Sequence, residues 1–196
     1  DSDSAATFAA QPKNITSRTL TGTPIAWGAQ PWDKGATYTS PDLTPVVTKI
    51  VNRAGWCGGS SSLVFVISKA DGTPYRLSKT YDNAPFFAPT LNVEYEIKSV
   101  PKDTCIQQHY SGQLIADVDD AEEMYSGTDA GSVYLTSDTL ELGVATEARL
   151  VGFRFRDVPI SKDAKVLSAS LILTARQPSK DAKTVAPSFT IKGEKS

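Results

Sequence analysis

The chain of 196 residues is poor in the residue types that build most catalytic and metal centres. It has one histidine, His109, and two cysteines, too few for the four Cys and His ligands of a structural zinc site. No nucleophile-elbow motif lies near His109, which we interpret as a surface residue. No apolar run approaches the roughly 18 residues of a membrane helix. The net charge of −2 gives no basic surface for nucleic acid. We therefore predict no membrane span, no nucleic-acid partner and no enzyme activity.

The apolar residues that are present follow strand patterns. Residues 63–68 form a continuous apolar run of strand length, typical of a strand covered on both faces. Residues 91–97 alternate strictly between apolar and polar, and segments 150–155 and 166–175 are further strand candidates. Breaks rich in Pro, Gly, Asp and Ser separate them. The sequence predicts an all-β antiparallel sandwich.

One segment has a helical pattern. Thr44 is a candidate N-cap and Pro45 a candidate first helical residue. Four apolar residues then fall on one stripe, and Gly55 ends the segment. We predict a short helix over 45–53 that covers an open end or edge of the sandwich.

The strongest local signal for a ligand is an acidic stretch with five carboxylates in seven residues, over 117–123. Such a cluster repels itself, and calcium relieves this because it accepts six to eight oxygen ligands in irregular geometry. The alternative is a solvated acidic edge. The predicted calcium ligands, two of them on the following segment, are Asp117, Asp119, Asp120, Glu122, Glu123, Asp138 and Glu141.

Three further features suggest binding or modification. Trp27, Trp32 and Trp56 lie among glycines and prolines, where exposed rings could stack on sugars, and Trp32 and Trp27 are the candidate glycan-binding residues; burial in the sandwich core is the commoner explanation for such indoles. Cys57 and Cys105 are predicted to form a disulfide in an oxidising compartment, with two free buried thiols as the alternative. Asn14 begins an Asn-Ile-Thr glycosylation triplet, which matters only in a eukaryotic secretory pathway.

Short segments distributed over most of the chain resemble one kind of module. In the second half they are residues 119–123, 131–142, 151–155, 158–160 and 168–171, and in the first half residues 14–19, 26–27, 41–43, 50–56, 80–82 and 88–89. They resemble the jelly-roll-like β-sandwich modules of secreted, tandem-repeat proteins of marine bacteria. Those modules are similar in style to carbohydrate-binding modules and are often calcium-loaded.

The resemblance implies an unusual order of parts. The closing half of such a module corresponds to residues 1–98 and the opening half to residues 117–196, and the polar, irregular segment 99–116 is predicted to be a connector. The chain's last strand-like residues, 189–196, also continue naturally into its first residues, 1–8.

Three arrangements follow from this order. The chain is a circularly permuted single domain, one period of a tandem array, or a protomer whose halves complete those of its neighbours. Half a sandwich leaves strand edges open, which favours assembly. We therefore expect an extracellular structural or adhesive protein that polymerises head-to-tail through complementary half-sandwiches and is stabilised by calcium. The alternative is a carbohydrate-binding module with polysaccharide as its partner.

Overall fold

Two antiparallel sheets pack face to face in the computed structural model, which describes residues 4–71, 75–99, 104–143, 147–177 and 187–195. The predicted all-β sandwich with one short helix is confirmed. The strands are β1 (Ile25–Gly28), β2 (Thr37–Thr39), β3 (Leu63–Asp71), β4 (Arg76–Ser78), β5 (Thr90–Ser99), β6 (Thr104–Gln113), β7 (Asp120–Met124), β8 (Val133–Tyr134), β9 (Leu140–Leu142), β10 (Arg149–Phe155), β11 (Lys165–Gln177) and β12 (Ser188–Gly193). The first sheet has the order β1-β12-β3-β10-β7-β8. The second has β6-β5-β11-β4-β9, and β2 also pairs with β11.

Strand β3 is covered on both faces, as its continuous apolar sequence predicts. Leu63, Phe65 and Ile67 belong to the core between the sheets. Val64 and Val66 face the other way, into a second cluster with Phe8, Ile15 and other residues. Because the N-terminal segment forms that second cluster, the first sheet has an additional covering layer.

A glycine permits this outer layer to lie close to the sheet. A Cβ atom on Gly152 of β10 would lie 2.4 Å from the ring of Phe8, closer than real contacts allow. Gly152 therefore lets the N-terminal segment approach the backbone of the first sheet.

Helix α1 spans Thr44–Val51 and buries its predicted apolar stripe. The prediction of Thr44 as N-cap is wrong, since the N-cap is Leu43 and makes no side-chain capping bond. Instead, Asp42 Oδ1 accepts hydrogen bonds from the Thr44 amide and hydroxyl, at 3.0 and 2.6 Å. A Cβ atom on Gly193 of β12 would lie within 2.6 Å of side-chain atoms of Val46 and Ile50, so the helix packs tightly against that strand.

The prediction that segment 99–116 is an irregular connector is wrong. Most of it is β6, which pairs with β5 over ten consecutive residues without a register shift. The pattern was not visible in the sequence because β6 is an edge strand and most of its side chains are exposed or only half buried. An edge strand needs few apolar residues, so its sequence resembles a polar loop.

The two predicted halves are interleaved within one chain. β3, from residues 1–98, lies between β10 and β12, both from residues 117–196. In the second sheet, β5 of the first half pairs with β11 of the second. The apolar faces of each half are therefore covered by the other half of the same chain. The continuity of residues 189–196 with residues 1–8 falls partly on residues outside those described.

Candidate functional site

The acidic stretch forms a 3-10 turn, Asp117–Asp119, followed by strand β7. Asp120 lies opposite Phe153 of β10, a core residue, so Asp120 and Glu122 face the second sheet. Asp119 and Glu123 alternate with them and face the N-terminal layer. The strand therefore divides these carboxylates between two faces of the first sheet.

Glu123 holds the N-terminal layer in place and is fully buried. Its Oε2 accepts hydrogen bonds from the amides of Ile15 and Thr16, at 2.6 and 2.9 Å. Its Oε1 accepts another from the Thr16 hydroxyl at 2.5 Å. Hydrogen bonds to an ionised acceptor are stronger than neutral ones, so Glu123 anchors the turn around residue 15.

Asp119 is also fully buried, and it contacts two arginines, one in β10 and one directly after that strand. Its Oδ1 accepts hydrogen bonds from Arg154 Nη1 at 3.1 Å and Arg156 Nε at 2.8 Å. Arg154 Nε in turn donates to the Ala5 carbonyl at 2.8 Å. The carboxylate thus balances the charge of Arg156 and of Arg154, and Arg154 fastens the N-terminal segment to the sheet.

Glu122 belongs to a separate ion-pair cluster between the sheets. Its Oε2 lies 2.8 Å from Arg149 Nη1, and Arg149 Nη2 lies 3.4 Å from Glu141 Oε2. Its Oε1 accepts a hydrogen bond from the Glu141 amide. Burial raises the pKa of Glu122, while the Glu141 amide, Arg149 and Ser137 lower it. These partners compensate the buried carboxylate.

Asp120 differs from these residues because no arginine or lysine pairs with it. It is 1% exposed and accepts a hydrogen bond from the Tyr81 amide at 3.0 Å. Burial, chiefly, raises the pKa of Asp120 to about 7; the Tyr81 amide opposes this, and Asp82, Asp119 and Asp117 raise it further. The pKa of Asp82 is also raised, chiefly by burial and secondly by repulsion from Asp117.

Asp82 is the site residue that sequence reasoning missed, because its segment has the pattern of a structural turn. The fold brings this turn beside β7 although 38 residues separate Asp82 from Asp120. None of the salt bridges among the described residues involves Asp82, Asp117 or Asp120. These three carboxylates are the part of the acidic stretch and its surroundings that lacks a cationic partner.

The seven predicted calcium ligands do not converge on one point. Asp138, for example, pairs with Arg176 at 3.6 Å, while Glu123 lies on the opposite face of the first sheet from Glu122. Among the described residues, no group of three or more His, Cys, Asp or Glu side chains has an arrangement that could hold a metal ion. Calcium binding remains a prediction.

The candidate glycan-binding role of Trp27 and Trp32 requires exposed rings, and both rings are buried. Trp27 is 6% exposed and Trp32 is 2% exposed, and both belong to the core between the sheets. Trp32 stacks on Tyr38 with ring centroids 4.8 Å apart. Neither indole presents a free face to a sugar, so the structure agrees with the alternative of buried core residues.

The predicted disulfide is absent, and both cysteines are free and exposed. Cys57 lies in the loop after α1, and Cys105 lies in edge strand β6 opposite Lys98. The alternative of free thiols therefore holds, although the thiols lie at the surface and not in the core. The prediction of an oxidising, extracellular location then depends on the resemblance alone.

The Asn14 triplet is part of the N-terminal layer. Asn14 Oδ1 accepts hydrogen bonds from the Ala9 amide at 3.1 Å and Arg18 Nη2 at 3.3 Å. The hydroxyl of Thr16, the third residue of the triplet, bonds Glu123. Glycosylation at Asn14 remains a prediction.

A groove of about 400 Å³ lies on the outer face of the first sheet, beside the N-terminal layer. Leu20, Val66 and Leu150 supply an apolar lining, and Tyr125, 63% exposed, lies at its border. Lys192 also lines it, and its ammonium group has no ion-pair or hydrogen-bond partner among the described residues. Lys69 borders the groove but lies opposite the core residue Phe189, so its side chain starts from the other face of the sheet. Among the described residues, none that lines the groove is acidic.

Strand β6 presents a second surface, an open sheet edge. Within the described part of the chain it pairs only with β5. The Leu114 amide donates to the Pro89 carbonyl at 3.1 Å, so the even-numbered residues of β6 bond β5. By alternation, the amides and carbonyls of the odd-numbered residues from Cys105 to Gln113 point away from the sheet.

Comparison with known proteins gives no assignment. No protein-family model matches the chain, and no curated protein is similar to it at a significant level. Within the described residues, none of the helices has the length and apolar character needed to cross a membrane.

Proposed function

We propose that this chain is an extracellular structural or adhesive β-sandwich module that associates with copies of itself. The observation that supports this most directly is the open edge of β6. Sheet edges in natural proteins usually carry lysine, proline, bulges or covering loops that prevent strand addition. Residues 104–113 contain no Lys, Arg, Asp, Glu or Pro, and their pairing with β5 has no bulge.

A second copy of the chain is the partner that fits this edge best. An uncharged strand pairs with another β6 strand without placing like charges opposite each other. Antiparallel β6–β6 pairing is isologous and gives a closed dimer, whereas addition of β6 to another edge of the next copy propagates head-to-tail. Because the halves already cover each other within one chain, we assign assembly to this edge and not to exchange of halves.

Mass measurement by light scattering and electron microscopy tests this proposal over a range of concentrations. The double variant Gln107→Lys/His109→Lys places charges on the open edge and is expected to remain a monomer of 21.0 kDa. The matched control, Gln107→Thr, keeps the edge neutral and should assemble like the unchanged protein. Monomers of the unchanged protein at all concentrations, with or without calcium, would contradict self-association.

We also propose that calcium, as the sequence predicts, binds the acidic stretch at Asp117 and Asp120 together with Asp82, after these carboxylates move closer together, since their present arrangement does not form a metal site. The ion would relieve the repulsion that raises the pKa of Asp82 and Asp120. Ligand carboxylates must be ionised, so affinity should increase as the pH rises through about 7. At 100 times its dissociation constant, calcium would add about 2.7 kcal/mol to the free energy of unfolding. An identical melting temperature with calcium and with chelator would refute this.

Polysaccharide binding is the second candidate function. The tryptophans no longer support it, because both are buried. The groove on the outer face of the first sheet supports it instead, since it combines an exposed tyrosine with an apolar lining and with Lys192, which has no ion-pair or hydrogen-bond partner among the described residues. Pull-down on insoluble polysaccharides tests this candidate, and loss of binding in Tyr125→Ala would assign it to the groove.

A further inference from the structure

We infer that two copies of this chain pair through β6 as a closed antiparallel dimer whose two-fold axis lies at Tyr110. The inference rests on the proposed self-association at this edge, and it specifies the register and the side chains that determine it. Ile106 and Ile115 of each copy would be covered by the other copy.

Apolar side chains lie at both ends of this open edge. Ile106, near the start of β6, is 42% exposed, and Ile115, two residues after its end, is 58% exposed. Phe86, also exposed, lines the same cavity as Ile115. These are three of the six large apolar side chains that the described part of the chain exposes. Apolar groups beside an unpaired strand edge favour a partner that covers both.

Hydrogen bonding limits the registers in which two β6 strands can pair. The outward amides and carbonyls belong to odd-numbered residues, so odd residues of one copy must lie opposite odd residues of the other. In a symmetric pair, the numbers of opposite residues add up to twice the number of the residue on the axis. Three such registers overlap most of β6, and their axes lie at Gln108, His109 and Tyr110.

The register centred on Tyr110 places Ile106 of one copy opposite Leu114 of the other. Even-numbered residues form the non-hydrogen-bonded pairs of this ladder, in which opposite side chains are closest. Leu114 lines a cavity of about 210 Å³ with Phe86 and Pro85. Ile106 of the second copy would therefore lie against this cavity.

The same register places Ile115 of one copy opposite Cys105 of the other. Cys105 lines a second cavity, of about 390 Å³, with Ile97 and Ala164. Two acidic residues and two lysines also line it, so their charges balance. Each copy thus carries both isoleucines and both cavities, and the two-fold axis brings each isoleucine of one copy to a cavity of the other.

The other two registers leave isoleucine side chains uncovered. With the axis at Gln108 or His109, Ile115 lies opposite a residue that precedes the β6 strand of the other copy, so that strand does not cover it. With the axis at His109, Ile106 also lies opposite Gly112, which has no side chain to contact it.

Equilibrium sedimentation of the whole chain tests the apolar contacts. Ile106→Ser and Ile115→Ser should each raise the dissociation constant of the dimer about tenfold, because each removes an apolar contact that the dimer makes twice. The control is Tyr134→Ser, which truncates an exposed aromatic side chain on β8 in the other sheet and should leave the dissociation constant unchanged. Unchanged melting temperatures would show that all three variants are folded.

Disulfide trapping in a Cys57→Ser/Cys105→Ser background tests the register. Tyr110→Cys should give covalently linked dimers, because the Cα atoms of a non-hydrogen-bonded pair lie about 4.5 Å apart, within reach of a disulfide. Gln108→Cys should not, because residue 108 of one copy would lie about 13 Å along the strand from residue 108 of the other.

The outcomes separate this inference from self-association itself. Linkage through residue 108 and not through residue 110, or association that neither isoleucine substitution weakens, would overturn the register while self-association stands. Loss of association in Tyr134→Ser would place the interface at the edge of the other sheet and would also overturn the inference. A chain that stays monomeric at every concentration would overturn both.

Discussion

The substitution Asp120→Asn removes a buried carboxylate that has no cationic partner among the described residues. Asp120 is 1% exposed, faces the core between the sheets and accepts one hydrogen bond from the Tyr81 amide. An asparagine has nearly the same shape, and its carbonyl oxygen can still accept that bond. The change therefore removes the ionisation of residue 120 with little change in packing.

The sign of the effect follows from the raised pKa. Below pH 3.8, the ordinary value for Asp, the carboxyl is protonated in both the folded and the unfolded chain; above about 7 it is ionised in both. Between these values the folded chain binds more protons, so its stability falls as the pH rises. The gap between 3.8 and about 7 corresponds to about 4 kcal/mol of stability lost by the time the pH reaches 7.

Urea unfolding from pH 4 to pH 8 measures this quantity. The free energy of unfolding of Asp120→Asn should rise relative to the unchanged protein as the pH increases, by about 4 kcal/mol in total. Asp33→Asn, at an exposed loop position, is the control and should show no such trend. A difference between Asp120→Asn and the unchanged protein that is constant with pH would refute the reasoning, since it would mean that Asp120 ionises equally easily in both states.

Two further predictions concern the N-terminal layer. Glu123→Ala should lower the free energy of unfolding by about 3 kcal/mol, because it removes a buried charged acceptor of three hydrogen bonds. Hydrogen exchange should then accelerate at the Ile15 amide, while the surface control Glu96→Ala should cost under about 1 kcal/mol. Gly152→Ala should cost about 2 kcal/mol through overpacking against Phe8, measured by thermal unfolding. An unchanged melting temperature would show that the ring moves aside without cost.

The parts of the fold that the sequence predicts are those whose burial leaves a periodic pattern. The continuous apolar run at Leu63 predicts β3 because both of its faces are covered, and the stripe after Pro45 predicts α1. Two parts leave no such pattern. β6 exposes most of its side chains, and the N-terminal layer covers the first sheet with an irregular chain whose buried residues, such as Phe8 and Ile15, follow no period.

The seven predicted ligands do not lie together because sequence proximity is a poor guide to side-chain proximity in a strand. Neighbouring carboxylates such as Asp119 and Asp120 point to opposite faces of the sheet, so a dense acidic sequence divides into groups with different partners. Glu123 bonds the N-terminal layer directly, and Asp119 does so through Arg154. These contacts explain why this acidic segment is buried. Asp82, a residue distant in sequence, is one of the charges that raise the pKa of Asp120 in β7. Removal of its carboxylate by Asp82→Asn should lower the pKa of Asp120, because repulsion from Asp82 helps to raise it. An NMR titration of the Asp120 carboxyl carbon would measure that change, and an unaltered titration would mean that Asp82 does not contribute to the raised pKa.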